Sequence, residues 1–327
     1  MKELQWNHKI FNVQEDNFES LALELFRFQY KHNPVYKSFV DALKIKPESV
    51  RNIKEIPFLP IEFFKSHRVI TTSFDPIHVF ESSGTTSMTR SMHYIKDLSC
   101  YEESFIKSFE LFYGPVRDYC LLCLLPSYLE RNNSSLVYMA DKLILLSGHS
   151  QSDFYLYDTD KLAEVIFELE KNKQKTILFG VMFALLDFAD NYPFPLKHTI
   201  VMETGGMKGR RQELIRSEAH EILKNKFGIS NTHSEYGMTE ILSQAYSKGE
   251  GTFQSPPWFK VLVRDEDDPM NVAEEGNGVL NIIDLANVYS CCFIASEDAG
   301  KIYANGFFEV SGRIDNSDLR GCSLMAI

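Results

Sequence analysis

Two short polar segments carry residue types that could do chemistry together. The first is Glu81-Ser82-Ser83-Gly84-Thr85-Thr86-Ser87, which follows a strand-like run at 77–80. One glycine lets the backbone turn tightly, and hydroxyls with backbone amides can wrap phosphate oxygens. The segment is not a G-x-x-x-x-G-K-[ST] phosphate loop, because it has a single glycine and no Lys-Ser/Thr pair follows. A solvated turn rich in Ser, Thr and Gly has the same composition.

The second segment is Ser234-Glu235-Tyr236-Gly237-Met238-Thr239-Glu240. Its aromatic ring can stack on a base, and its glycine permits close approach. A threonine hydroxyl can meet a phosphate, and a carboxylate can hold Mg²⁺, which prefers oxygen ligands. A strand-to-helix turn with Thr239 as N-cap uses the same residues.

These segments need a scaffold. Apolar residues recur at helical spacing in 17–30, and a second helix is expected over 36–45. Prolines 57 and 60 break the chain into a turn-rich stretch. Strand-like runs at 77–80, 119–125, 154–157, 177–180 and 199–203 then alternate with helix-like runs at 98–112, 135–146, 161–172, 182–190 and 212–227. That alternation predicts an α/β body with a mainly parallel sheet covered by helices. After residue 246 the texture changes to short β-type runs at 258–264, 278–283, 292–295, 300–303 and 307–310. Turn-formers such as Asn305-Gly306 separate them, so an appended antiparallel sheet or small barrel is expected. The expected division is a nucleotide- and acyl-binding α/β body over 1–246, an antiparallel β subdomain of the same domain over 247–311, and a hinge-like remnant and tail over 312–327.

Bulk properties narrow the function classes. The 327 residues carry a net charge of −11, with 34 basic against 45 acidic side chains. That disfavours a general nucleic-acid binder, which needs a basic surface. The strongest local basic cluster is Lys208, Arg210 and Arg211. No stretch approaches the roughly 20 apolar residues that span a bilayer. The first twenty residues mix charge with apolar side chains, unlike a signal peptide, so a cytoplasmic location is expected. Six cysteines in so long a chain do not read as a disulfide framework. Cys120 and Cys123 have C-x-x-C spacing but lie in the apolar run CLLCLL, and two further zinc ligands are not evident.

The two polar segments in this order and at this distance resemble the nucleotide-binding motifs of the adenylate-forming superfamily. Its phosphate loop, [ST]-S-G-[ST]-T-G-x-P-K, is matched in frame by residues 82–90, with Ser87 for a glycine, Thr89 for the proline and Arg90 for the lysine. Its Y-G-x-T-E is matched in full by residues 236–240, and Thr204-Gly205-Gly206 stands where related enzymes present a glycine pair near adenine. Ser296-Glu297-Asp298 resembles the T-G-D turn that bonds the ribose, and Ser311-Gly312-Arg313-Ile314-Asp315 resembles the G-R-x-D hinge. For Asp298 the alternative is a hairpin turn, and for Arg313 a surface loop. Within the superfamily, the stretches at 56–67, 125–136, 202–211 and 318–324 are most similar to the acyl-protein synthetases and to relatives of phenylacetate–CoA ligase.

The resemblance implies an ATP- and Mg²⁺-dependent ligase that turns a carboxylic acid, in this group a fatty acid, into an acyl-adenylate. A thiol then accepts the acyl group: the enzyme's own cysteine, a carrier protein or CoA. An acyltransferase or reductase is the implied protein partner. Ser82, Ser83, Gly84, Thr85, Thr86 and Ser87 would cradle the phosphates, and Tyr236 with Gly205, Gly206 and Gly237 would hold the adenine. Thr239 would meet the α-phosphate, Glu240 would hold the metal, and Asp298 and Arg313 would face the ribose and hinge. Cys322, in Arg320-Gly321-Cys322, is the candidate acceptor thiol; a tail cysteine without a role is the alternative. The chain ends at Ile327, so the superfamily's mobile C-terminal domain and its lysine are expected to be absent. Arg90, Lys208, Arg210 or a partner would then meet the α-phosphate, or the activity would be reduced. The remaining alternatives are an acyl- or aryl-CoA ligase and a non-catalytic nucleotide- or acyl-binding component of a biosynthetic complex. Residues 178–189 could line an acyl tunnel beside Gly180, although such apolar helical residues are usually core.

Overall fold

The computed structural model describes residues 2–83, 89–125, 133–155, 157–205 and 214–314, with the side chains of residues 2–5 left aside. Three helices lead: α1 (Lys2–Phe11), α2 (Glu15–His32) and α3 (Pro34–Ala42). Asn33 caps α3 by accepting the Tyr36 amide at 3.0 Å, with Pro34 at the first helical position. The two-residue strand β1 (Leu59–Pro60) and the one-turn helix α4 (Phe63–Ser66) follow. Next comes the hairpin of β2 (His78–Glu81) and β3 (Met92–Ile95).

The α/β body contains α5 (Leu98–Tyr113), β4 (Cys120–Leu124), α6 (Ser135–Ser147), β5 (Asp153–Phe154), α7 (Thr159–Lys171), β6 (Thr176–Val181), α8 (Met182–Asn191), β7 (Thr199–Thr204), α9 (Arg216–Phe227), β8 (His233–Tyr236) and β9 (Ala245–Ser247). Its strands lie in the order β5-β4-β6-β7-β8-β9, parallel except for β9. β4 and β6 are buried along their whole length, as their near-continuous apolar sequences require when helices cover both faces. One core cluster lies between this sheet and α7, α8 and α9. The larger cluster fills the other face and extends to the N-terminal helices and the second sheet.

That second sheet is built from β10 (Thr252–Phe253), β11 (Phe259–Arg264), β12 (Val272–Ala273), β13 (Gly276–Asp284), β14 (Phe293–Ile302) and β15 (Phe308–Arg313). Its order is β10-β15-β14-β13-β11-β12, antiparallel throughout, with β1 added in parallel against β14. The N-terminal helices anchor to it: Gln29, fully buried, donates to Asn287 O and Val288 O and accepts the Cys292 amide at 2.9 Å. The boundaries expected at 246/247 and 311/312 both fall inside strands, β9 and β15, because pairing carries the chain past the points where its composition changes. Among the described residues no helix is long and apolar enough to cross a membrane.

One difference from expectation shapes the site. The runs at 292–295 and 300–303 form a single strand, β14, rather than two strands around a turn. Asn281 pairs with Ala295 and Val279 with Ala299, so Leu280 alone opposes Ser296-Glu297-Asp298. The surplus is absorbed as a bulge, the irregularity by which a strand re-aims a side chain.

Candidate active site

The neck of the Ser/Thr loop is a closed pair of strand ends. The Ser82 amide donates to Ser91 O at 3.1 Å, and the Ser91 amide donates to Ser82 Oγ at 3.0 Å. Ser83 is exposed at the exit, while Gly84, Thr85, Thr86 and Ser87 lie outside the described residues. Arg90 donates from Nη1 to Glu81 Oε2 at 2.9 Å, and Asn133 Nδ2 donates to the other oxygen at 3.0 Å. The arginine therefore already has an acidic partner at the mouth of the loop.

The second segment begins on β8. Strand alternation sends Ser234 and Tyr236 to one face and Glu235 to the other. Glu235 accepts the Thr204 hydroxyl across the register pair Thr204–Glu235. Burial pushes its carboxyl up to about 7, against the pull of that bond. A β-carbon at Gly237 would meet Glu235 Oε1 at 2.7 Å, so a larger residue there would have to displace the Glu235 carboxyl. At Gly205 the reason differs: φ is +69° with open space around it, a backbone conformation glycine adopts freely. Gly206 lies outside the described residues.

After Tyr236 the chain makes a turn at Thr239-Glu240, and no helix follows. Thr239 is thus not an N-cap. The residues beyond are held by the buried Asp284, which accepts the amides of Leu242 at 2.7 Å and Ser243 at 3.1 Å and the Ser243 hydroxyl at 2.6 Å. Burial still raises the Asp284 carboxyl, to about 6. Glu240 is itself 6% exposed. Burial raises its pKa, opposed by a hydrogen bond from the Ser91 side chain and by the charge of Arg313.

The bulge on β14 delivers the third component. Tyr236 Oη donates to Asp298 Oδ2 at 2.8 Å, and Arg313 Nε lies 3.4 Å from Asp298 Oδ1 across the β14–β15 register pair. Gly312 and Arg313 therefore belong to a paired strand. The Tyr236 ring packs at 5.8 Å on Phe253 and 5.5 Å on Phe308.

The described residues of both motifs therefore converge. The strand leaving the loop neck reaches the Thr239 backbone through His93, Tyr236 reaches Asp298, and Arg313 faces both acids. Three residues in this cluster were not legible as site residues: Ser91, His93 and Asn287. His93 Nδ1 lies 2.8 Å from Thr239 O, and its Nε2 2.9 Å from Asn287 Oδ1. The one sequence signal was a polar residue in a run otherwise suited to the core.

The thiols are placed differently. Cys100, Cys120, Cys123, Cys291 and Cys292 are all buried, and burial raises each pKa, which disfavours the nucleophilic thiolate. Cys322 lies outside the described residues, as do Lys208, Arg210 and Arg211. No group of three or more His, Cys, Asp or Glu that could hold a metal occurs among the described residues. Ile177 and Phe179 line a small apolar cavity with Leu121, Met202 and Tyr246. Met182, Leu185, Leu186, Phe188 and Ala189 sit instead in the core against α9.

Comparison with solved structures defines the class of fold, that of an adenylate-forming domain. The chain superimposes on ATP-bound MatB from Rhodopseudomonas palustris with a TM-score of 0.54 and 16% identity, over 72% of this chain and 47% of that one. It superimposes on the luciferase-like enzyme of the Zophobas morio mealworm with a TM-score of 0.52 and 15% identity, over 76% and 60%. The chain thus spans about half the length of such structures. The particular family follows from sequence: residues 4–326 match the LuxE acyl-protein synthetase family, and the chain belongs to it. A long-chain-fatty-acid–luciferin-component ligase of Aliivibrio fischeri is 22% identical over 347 residues, covering 99% of this chain and 90% of that protein. One of the same description from Photorhabdus luminescens is 33% identical over 79 residues, 24% of this chain.

Proposed function

We propose that this protein uses ATP to activate a long-chain fatty acid as its acyl-adenylate and passes the acyl group to a thiol. The supporting observation is the convergence of the strand leaving the loop neck and the Thr239-Glu240 turn, where His93 Nδ1 lies 2.8 Å from Thr239 O. A carboxylate oxygen attacking the α-phosphorus of ATP needs two anions held in line with their charge offset. Thr239 is assigned to the α-phosphate, and Ser82, Ser83, Gly84, Thr85, Thr86 and Ser87 to the β- and γ-phosphates. Tyr236 would stack on adenine, with Gly205 and Gly206 also assigned to it, and Asp298 would reach the ribose hydroxyls.

Glu240 is the residue that would hold Mg²⁺. A single buried carboxyl suits this ion, which takes one or two carboxylates and completes its shell with phosphate oxygens and water. Bound there, the metal would withdraw charge from the phosphates and make pyrophosphate a better leaving group. Arg90, by exchanging Glu81 for a phosphate, would supply a cation to the triphosphate.

The burial of five thiols leaves Cys322 or an external thiol, a carrier protein or CoA, as acceptor. An acyltransferase or reductase would exchange acyl groups with it, and the compartment that suits free thiols is the cytoplasm. The test is incubation with a labelled long-chain fatty acid, ATP, Mg²⁺ and hydroxylamine. The reading predicts AMP and acyl hydroxamate in equal amounts; neither product above background would contradict it.

A further inference from the structure

Thr239 and Glu240 carry the assigned chemistry, yet their turn belongs to no helix or strand that would fix its backbone. Two buried side chains take up its carbonyls. Asn287 Nδ2 donates to Glu240 O at 2.7 Å and to Cys291 O at 2.9 Å. His93 meets Thr239 O through Nδ1 at 2.8 Å. The two side chains are themselves in contact, His93 Nε2 to Asn287 Oδ1 at 2.9 Å. His93 is 1% exposed and Asn287 fully buried.

The origin of His93 matters as much as its contacts. It lies on β3, two residues after Ser91, on the strand that leaves the Ser/Thr loop. His93 thus ties this strand to the Thr239 backbone, two residues beyond Ser91 at the loop neck. We propose that His93 is a positioning residue: with Asn287 it fixes the Thr239-Glu240 turn against the phosphate-loop strand, so that both side chains face the nucleotide. This inference rests on the adenylation reading above.

The hydrogen-bonding chemistry is specific. A backbone carbonyl only accepts, as does the Asn287 amide oxygen, so the single proton of the neutral imidazole serves one of them: on Nδ1 it bonds Thr239 O and leaves Nε2 facing Asn287 Oδ1 without a hydrogen bond. The two carbonyls on its nitrogen fix the Asn287 amide with its oxygen toward the ring. Burial pushes the imidazole down to about 4, so the ring is neutral and has one proton to donate. A phenylalanine would fill the same space and keep the edge-on contact with Phe64, whose ring centre is 5.8 Å away at 90°. Packing alone therefore favours an apolar ring, whereas holding the turn requires a donor.

His93→Phe and His93→Gln separate these roles. Both variants and the wild type are assayed for fatty-acid-dependent exchange of labelled pyrophosphate into ATP, together with Tm and the Mg²⁺ concentration giving half-maximal rate. The inference predicts that His93→Phe loses at least 30-fold in kcat with the KM for ATP changed less than threefold, and needs more Mg²⁺. His93→Gln, which restores an N–H donor, recovers at least a third of that loss on a logarithmic scale despite a lower Tm. Wild-type kcat in His93→Phe, or a better kcat in His93→Phe than in His93→Gln, overturns it and leaves the histidine as core. Should His93→Phe not fold, Asn287→Asp, which removes the donors to Glu240 O and Cys291 O, must show the same fall in kcat at unchanged KM; full activity there overturns the inference equally. A wild type without exchange for any acid would instead overturn the adenylation reading, and this inference with it.

Discussion

The hydroxyl of Tyr236, at the end of β8, donates to Asp298 Oδ2 at 2.8 Å on the bulge of β14. This bond joins the parallel sheet to the antiparallel one, and it sets a ring proposed for adenine and a carboxyl proposed for ribose at a fixed separation. Asp298 is 8% exposed, so loss of a partner is felt.

Tyr236→Phe keeps the ring and removes the bond. Stability should fall by about 1 kcal/mol in urea melts. kcat/KM for ATP should drop roughly 3- to 10-fold, an effect of about 1 kcal/mol on transition-state binding. Unchanged kinetics would show that Asp298 does not depend on the tyrosine.

Glu240→Gln removes charge and keeps shape. Adenylate formation should fall by at least about 100-fold, the scale on which metal-assisted charge stabilisation acts. ATP binding, followed by calorimetry, should weaken only a few-fold. Equal losses in both would assign Glu240 a structural role.

Glu235 gives the fold a pH dependence. Its folded pKa is about 7 against an ordinary value of 4.5, so the folded chain binds this proton more tightly than the unfolded one. The stability from Glu235 is full below about pH 4.5 and is lost as pH rises through 7, in total roughly 3 kcal/mol. Glu235→Gln should therefore be more stable than wild type at pH 8 and no more stable at pH 4.5. Urea melts at the two pH values check this; an equal difference at both would contradict it.

The acceptor thiol is tested with labelled fatty acid and ATP. If Cys322 accepts the acyl group, the protein gains a hydroxylamine-sensitive label that Cys322→Ser abolishes. Label persisting in that variant would remove the assignment, and acyl-CoA accumulating without protein label would name CoA as acceptor.

Much of this arrangement was legible because it is local. Apolar runs such as CLLCL and TILFGV announce buried parallel strands, and Tyr236-Gly237-Met238-Thr239-Glu240 is a contiguous motif. The bulge was hidden, since Glu297 and Asp298 interrupt the apolar alternation of β14 and read as a turn. The absence of a helix after Thr239 was hidden too, because Asp284, more than forty residues on, holds those amides. His93 and Asn287 were missed for the same reason: they are 194 residues apart, and no periodicity in either neighbourhood reports their contact. The attachment of α2 to the second sheet through Gln29 is likewise a long-range polar match that a local reading does not register.

The proposed chemistry needs one grip, two stretches of backbone closing on a metal-bound triphosphate beside an acid. Exchange of labelled pyrophosphate into ATP measures it directly. The account predicts exchange that requires both a long-chain fatty acid and Mg²⁺ and is abolished in Glu240→Gln. Exchange absent with acids of every chain length, or proceeding equally without acid, would contradict it.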